Sequence, residues 1–179
     1  MRIIGFTGSK GSGKSTAAEA LFDNAIQVNF ADPLKDMFEK IIPYRVLYGN
    51  SQERDTHYVQ DTKATARKAL QNVGIAMREL DPDFWVKLWA KKVEAIKRQY
   101  PLNPKVYKFW TIGDVRFENE AKYIRDLGGC IIHIHRPNSS ENDNHVSELA
   151  LPDIYVDVTV ENNGSIKQLH QKVKEIAYQ

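Results

Sequence analysis

Residues 8–15 read Gly-Ser-Lys-Gly-Ser-Gly-Lys-Ser, and this octet decides how the rest of the chain is read. It fits the spacing G-x-x-x-x-G-K-[ST]. Glycines at these positions let successive backbone N–H groups curl around an anion, and the helix expected behind them points its positive end at the same place. The run Arg2–Thr7 in front of the octet reads as a strand. Strand, glycine-rich turn and helix in this order make a cradle for nucleotide phosphates. Gly8, Gly11, Ser12, Gly13 and Thr16 belong to that cradle. Lys14 is placed to reach the β- and γ-phosphates, and the Ser15 hydroxyl to ligate Mg²⁺. Lys10 lies inside the loop, where it either touches phosphate or faces water. ATP and Mg²⁺ are the cofactors this pattern calls for.

Outward from the cradle, strands and helices alternate. A helix is expected from about Lys14 to Asn24, a short strand at Ile26–Phe30, and a helix from Asp32-Pro33 to about Ile42. In that last helix Asp32 is read as the N-cap and Pro33 as the first helical residue. Residues 43–61 are polar and mixed and carry no period. The spacing of Ala66, Ala69, Leu70, Val73, Met77 and Leu80 predicts a helix over 62–80. Asp81-Pro82 repeats the start signal ahead of the stripe Trp85, Leu88, Trp89, Val93 and Ile96. Strands are expected at Val106–Gly113, Cys130–His135 and Ile154–Val160. Helices are expected over 116–127 and from Ser165, where Gln168 completes a capping box. The alternation predicts an α/β fold: a parallel sheet of about five strands with helices on both faces. The chain reads as a single domain over 1–179, with a helical substrate-binding insertion at about 43–100 and a lid loop at about 137–148.

Composition narrows the function. A length of 179 residues suits one domain with one sizeable core. The net charge of +2 is too small for a nucleic-acid-binding protein, so direct nucleic acid binding is not expected. Cys130 is the single cysteine, which rules out a disulfide framework and reads as cytoplasmic. Met1–Thr7 is too short and too soon interrupted by glycine for a signal peptide. No apolar run approaches the ~20 residues a membrane span needs.

Among nucleotide-binding chains, a GTPase should carry Asn-Lys-x-Asp, which is absent. Larger ATPases usually show an acidic pair after the second key strand. Here that strand ends Thr111-Ile112-Gly113-Asp114, followed by Val115-Arg116, which suits a small kinase better. Lys35 and Arg116 are both read into first helical turns, where the macrodipole disfavours a cation; an anionic ligand would resolve the conflict. Asp114 stands at the carboxyl end of a parallel strand, where ligands of open α/β sheets bind. It is read as a catalytic group with Lys14 and Arg116, or as an N-cap, or as both. Arg54, Arg67 and Lys68 add cations that phosphoryl transfer can use. Trp85 belongs to the core stripe but lies one turn from Pro82, where a ring can cover a base or wall off a 2′-hydroxyl. His133 and His135 lack a third ligand and are not read as a metal site.

The chain resembles the bacteriophage deoxynucleoside monophosphate kinases almost from end to end. The resemblance is carried by Gly8–Thr16, Ala31-Asp32-Pro33-Leu34-Lys35, Glu53-Arg54, Leu70-Gln71 with Gly74, and Phe84-Trp85-Val86-Lys87-Leu88. It continues through Gly113-Asp114-Val115-Arg116, Glu120-Ala121, Arg136-Pro137, His145 with Glu148, and Asn163-Gly164-Ser165. It implies transfer of phosphate from ATP to a deoxynucleoside monophosphate, with Mg²⁺, on a nucleoside-monophosphate-kinase-like fold that often forms a homodimer. By matching positions it implies Lys35, Arg54, Lys68, Gly74, Trp85, Asp114, Arg116 and Glu120 on the monophosphate side, with Arg67 adjoining, and Arg136 on the ATP side. Two other readings remain: a kinase of another small phosphorylated metabolite such as a coenzyme precursor, and a nucleotide-binding regulatory module without turnover.

Overall fold

The structure is a computed structural model that describes residues 1–49, 52–137 and 151–179. Apart from Pro137, the expected lid loop at 137–148 lies outside the described residues, as do His145 and Glu148. The chain divides into two compact units, one formed by Met1–Phe30 with Val93–Gln179 and the other by Ala31–Lys92.

The first unit holds the sheet. Its strands are β1 (Arg2–Thr7), β2 (Ala25–Gln27), β3 (Phe109–Ile112), β4 (Cys130–His135) and β5 (Val158–Glu161). All neighbours pair in parallel, in the order β2-β3-β1-β4-β5. β1 and β4 are rich in β-branched and aromatic residues and are largely buried, as a sheet covered on both faces requires. On one face α1 (Lys14–Glu19) and α8 (Ile166–Ala177) pack over Ile4, Phe6, Phe109, Ile132 and Ile134. α7 (Glu118–Asp126) packs against β1 and β4, with Ile124 fully buried. This is the expected fold class. α8 starts as its sequence predicts. Ser165 accepts from the Gln168 N–H, and the Gln168 side chain accepts from the Ser165 N–H, an arrangement typically worth about 1 kcal/mol.

The second unit holds α2 (Asp32–Phe38), α3 (Tyr44–Tyr48), α4 (Glu53–Thr56) and α5 (Ala66–Leu80). The unit boundary falls within α6 (Phe84–Gln99). Its core is Ile42, Val46, Leu47, Val59 and Ala66, with Phe38, Tyr48, Ala69 and Leu70 packed around them. α5 begins at Ala66 and not at 62, because the Thr65 side chain caps it by accepting from the Lys68 N–H.

Several expected boundaries move. α1 ends at Glu19, and a separate 3₁₀ turn covers Phe22–Asn24. α2 ends at Phe38, four residues short of Ile42. β3 is confined to Phe109–Ile112, because β1 begins its pairing at Arg2 against Phe109. Asp153–Tyr155 forms a 3₁₀ turn where a strand was expected. No helix among the described residues is long and apolar enough to cross a membrane.

Candidate functional site

The octet at the end of β1 forms a tight loop. Gly8, Gly11 and Gly13 take φ values of +139°, +81° and +101°, in the region that L side chains avoid. The Ser12 N–H donates to the Ser9 carbonyl at 3.2 Å. Lys14 folds back so that Nζ donates to the Gly8 and Ser9 carbonyls, each at 2.7 Å. Ser12 is fully buried, and its Oγ has no hydrogen-bond partner among the described residues. Ser15 is exposed at the start of α1, with Thr16 and Lys10 half-buried. The loop is braced from behind: Asn162 Nδ2 donates to the Ser12 carbonyl at 2.7 Å, and His170 Nε2 lies 2.8 Å from the Thr16 carbonyl.

The neighbouring strand ends bring further polar groups. Asp114 follows β3, half-buried, and its Oδ1 accepts the Phe30 N–H at 2.8 Å. Asn29 Oδ1 accepts the Gly113 N–H at 2.8 Å. These two contacts tie the segment after β2 to the segment after β3. On β4, His133 stands opposite Thr7 in the ladder. Burial first, then the neighbouring His135 and Lys14 charges, lower its pKa against the pull of Asp153 and Glu161. His135 Nδ1 lies 2.9 Å from Glu161 Oε2. Arg136 is exposed at the end of β4.

Two readings near β3 are corrected. Arg116 is not in a first helical turn: α7 begins at Glu118 with Phe117 as its N-cap, so no macrodipole conflict arises there. For the same reason Asp114 is not an N-cap. The carboxylate that serves this helix start is Glu120. Only 1% exposed, its Oε2 accepts the N–H groups of Arg116 at 2.9 Å and Phe117 at 3.1 Å. Glu120 therefore fixes the backbone that carries Arg116.

The remaining predicted residues lie in the unit Ala31–Lys92. Asp32 is also not an N-cap: Ala31 holds that position, and Asp32 is the first helical residue. Its carboxylate instead answers Lys35, whose Nζ is 3.5 Å from Asp32 Oδ1 and 4.8 Å from the centroid of the Tyr48 ring. The dipole conflict at Lys35 is thus relieved within the chain. Tyr48 donates its hydroxyl to Asp36, which also receives Lys92 Nζ at 2.6 Å. Burial, followed by that hydrogen bond and the Asp36 charge, raises the Tyr48 pKa and keeps it a donor. Arg54 Nη1 donates to the Leu47 carbonyl at 2.8 Å and the Val46 carbonyl at 3.3 Å, serving the open end of α3. Arg67 pairs with Asp55, and Lys68 is exposed on α5. Trp85 is 2% exposed, and its indole N–H donates to the Gly74 carbonyl at 3.0 Å. The ring is core, and its hydrogen bond fixes the α5 backbone at Gly74.

Sequence reasoning missed Asn29, Asn162 and His170. The signal that finds the first two is position: each directly follows a strand or lies just past one, on the carboxyl edge of a parallel sheet where loops converge. His170 carried no signal, since a histidine on an amphipathic helix is ordinary.

The profile of the family described as deoxynucleotide monophosphate kinase matches residues 47–173. A protein of Acanthamoeba polyphaga mimivirus with a provisional deoxynucleotide monophosphate kinase name is 34% identical over 97% of this chain and 94% of its own length. The deoxynucleotide monophosphate kinases of Enterobacteria phage T4 and Escherichia phage RB69 are 30% and 26% identical over 62% of this chain. Those matches span less than half of the phage proteins, 44% and 43%.

Proposed function

This chain belongs to the deoxynucleotide monophosphate kinase family, and on that premise we propose that it transfers the γ-phosphoryl group of ATP to the 5′-phosphate of a deoxynucleoside monophosphate. The products are ADP and the deoxynucleoside diphosphate. The observation that carries the reading is the Gly8–Ser15 loop at the carboxyl end of β1, with the Lys14 ammonium folded back onto its Gly8 and Ser9 carbonyls. Phosphoryl transfer asks the protein mainly for positioning and for positive charge around the transferred group.

The donor-side groups all lie in the unit that holds the sheet. The loop amides and Lys14 suit the β- and γ-phosphates of ATP, and the orphaned Ser12 hydroxyl inside the loop is of the kind a phosphate oxygen satisfies. Arg136, at the end of β4, is assigned to the ATP side. Mg²⁺ fits the same groups. Among the described residues there is no cluster of three metal-ligating side chains, and Mg²⁺ bound largely through nucleotide phosphates and water needs none. Ser15 would hold the ion, which supplies charge neutralisation to the phosphates. Asp114 and Arg116 are assigned to the transferred group.

Of the acceptor-side residues, Lys35, Arg54, Arg67, Lys68, Gly74 and Trp85 lie in Ala31–Lys92, the helical part of what we read as a single kinase domain, and Asp114, Arg116 and Glu120 lie in the unit that holds the sheet. Within the helical part Arg54 and Trp85 hold backbone, whereas Lys68 and Gly74 are open to a ligand. We assign the enzyme to the cytoplasm, where its single cysteine, Cys130, would stay a free thiol.

Gly74 provides a test that stability alone would not anticipate. It lies inside α5, where glycine costs about 0.5–1 kcal/mol relative to alanine. Among the described residues, a Cβ there meets only Leu34 Cδ2, at an ordinary 3.5 Å. Packing therefore gives no reason for the glycine, whereas close approach of a substrate would. Gly74→Ala is expected to raise Tm by roughly 1–4 °C and to raise the KM for the monophosphate while leaving the KM for ATP unchanged. A stabilised variant with a wild-type monophosphate KM would remove Gly74 from the acceptor side.

A further inference from the structure

We infer that Asn162 is a positioning residue for the ATP side of the reaction, acting through the Ser12–Gly13 peptide; the inference rests on the kinase reading above. Asn162 is the first residue past β5. Its own N–H donates to the His135 carbonyl at 2.7 Å, which continues the β4–β5 ladder by one step and fixes the residue to the sheet. Its side-chain Nδ2 donates to the Ser12 carbonyl at 2.7 Å. A carbonyl partner demands the NH₂ end of the amide, so the direction of this bond is settled by chemistry.

The consequence follows from peptide geometry. In a planar trans peptide the C=O and the following N–H point in opposite directions. Holding the Ser12 oxygen toward Asn162 turns the Gly13 N–H away from Asn162 and from the strand that carries it, as a loop amide that serves a phosphate oxygen must be turned. Gly13 and Asn162 are matched: an ideal Cβ on residue 13 would lie 2.5 Å from Asn162 Nδ2. The glycine at 13 thus has two reasons to be there, its φ of +101° and the room its missing side chain leaves for this clamp. Ser12 and Gly13 are sequence-evident members of the loop, whereas Asn162 is separated from them by 150 positions.

The test is steady-state kinetics of Asn162→Ala and Asn162→Asp with Mg-ATP and dGMP or dTMP, beside thermal melts of each protein. Loss of a single orientating hydrogen bond is expected to raise the KM for ATP about tenfold, with the KM for the monophosphate unchanged within about twofold. Asp keeps the volume of Asn but cannot donate, and it places a negative charge beside the Ser12 oxygen. The clamp therefore predicts an ATP effect for Asp at least as large as for Ala, whereas simple packing predicts a milder one. A folded Ala or Asp variant with the wild-type KM for ATP, or with both KM values raised alike, overturns the inference and leaves the kinase reading standing. A wild-type protein that turns over no ATP with any monophosphate removes both.

Discussion

Replacing Lys14 with alanine is expected to lower kcat on the order of a hundredfold or more while the protein stays folded. The ammonium is anchored on the loop itself, where its Nζ donates to the Gly8 and Ser9 carbonyls, each at 2.7 Å. Charge placed in advance at a transferring phosphoryl group is the largest lever such an enzyme has. The side chain is half-buried and adds little to the core, so its loss should barely move the melting temperature. Comparison of kcat with Tm separates the two effects. A folded Lys14→Ala protein with near-normal kcat contradicts the assignment of this loop.

Asp114→Asn is expected to show a similar split. Asn keeps an oxygen at the position of Oδ1, so the 2.8 Å bond from the Phe30 N–H survives and with it the tie between the segments after β2 and β3. What is lost is the negative charge. A catalytic carboxylate that orients reacting groups is typically worth 10²–10⁴ in rate, so activity should fall on the order of a hundredfold with Tm nearly unchanged. Asp114→Ala removes the acceptor as well, and the stranded Phe30 N–H should cost about 1–3 kcal/mol of stability. If Asn retained full specific activity and instead lost thermal stability, Asp114 would be a structural anchor alone.

The parts of the fold written into local sequence were the ones that sequence reading placed well. β1 and β4 are short, mostly apolar runs with glycine at one end, and α8 opens on a complete capping box, so each carries a local signal. The glycine-rich loop is local in the same sense, because φ values such as those at Gly8 and Gly13 demand glycine wherever they occur. Features set by partners far away in sequence were not legible. β3 starts at Phe109, the residue at which the registers of both its neighbours begin, at Arg2 of β1 and Ala25 of β2, and nothing in Val106–Lys108 says so.

The two Asp-Pro dipeptides illustrate the same limit. Both were read as N-caps, yet Asp32 became the first residue inside α2, facing Lys35. Asp81 lies before α6, where its Oδ1 accepts the Asp83 N–H at 3.0 Å and its other oxygen receives Lys87 Nζ at 2.6 Å. The side-chain contacts of the candidate site residues were not legible in the sequence. Arg54, Glu120 and Trp85 were read toward the substrate, and each proves to be bonded to backbone. Asn162 was invisible because its function depends on a contact 150 positions away.

The measurement that tests the central claim most directly is kcat/KM for dGMP, dTMP, dCMP and dAMP beside GMP, UMP, CMP and AMP, at saturating Mg-ATP, with the diphosphate product identified by chromatography. The account predicts ATP-dependent formation of deoxynucleoside diphosphate from at least one deoxynucleotide, with a preference over its ribose counterpart. If the site buries a 2′-hydroxyl without a partner, the cost of ~1–3 kcal/mol sets that preference at roughly 5- to 150-fold. Diphosphate formation from ribonucleotides at equal or higher efficiency would contradict the deoxy preference, and no diphosphate from any monophosphate would contradict the proposed reaction itself.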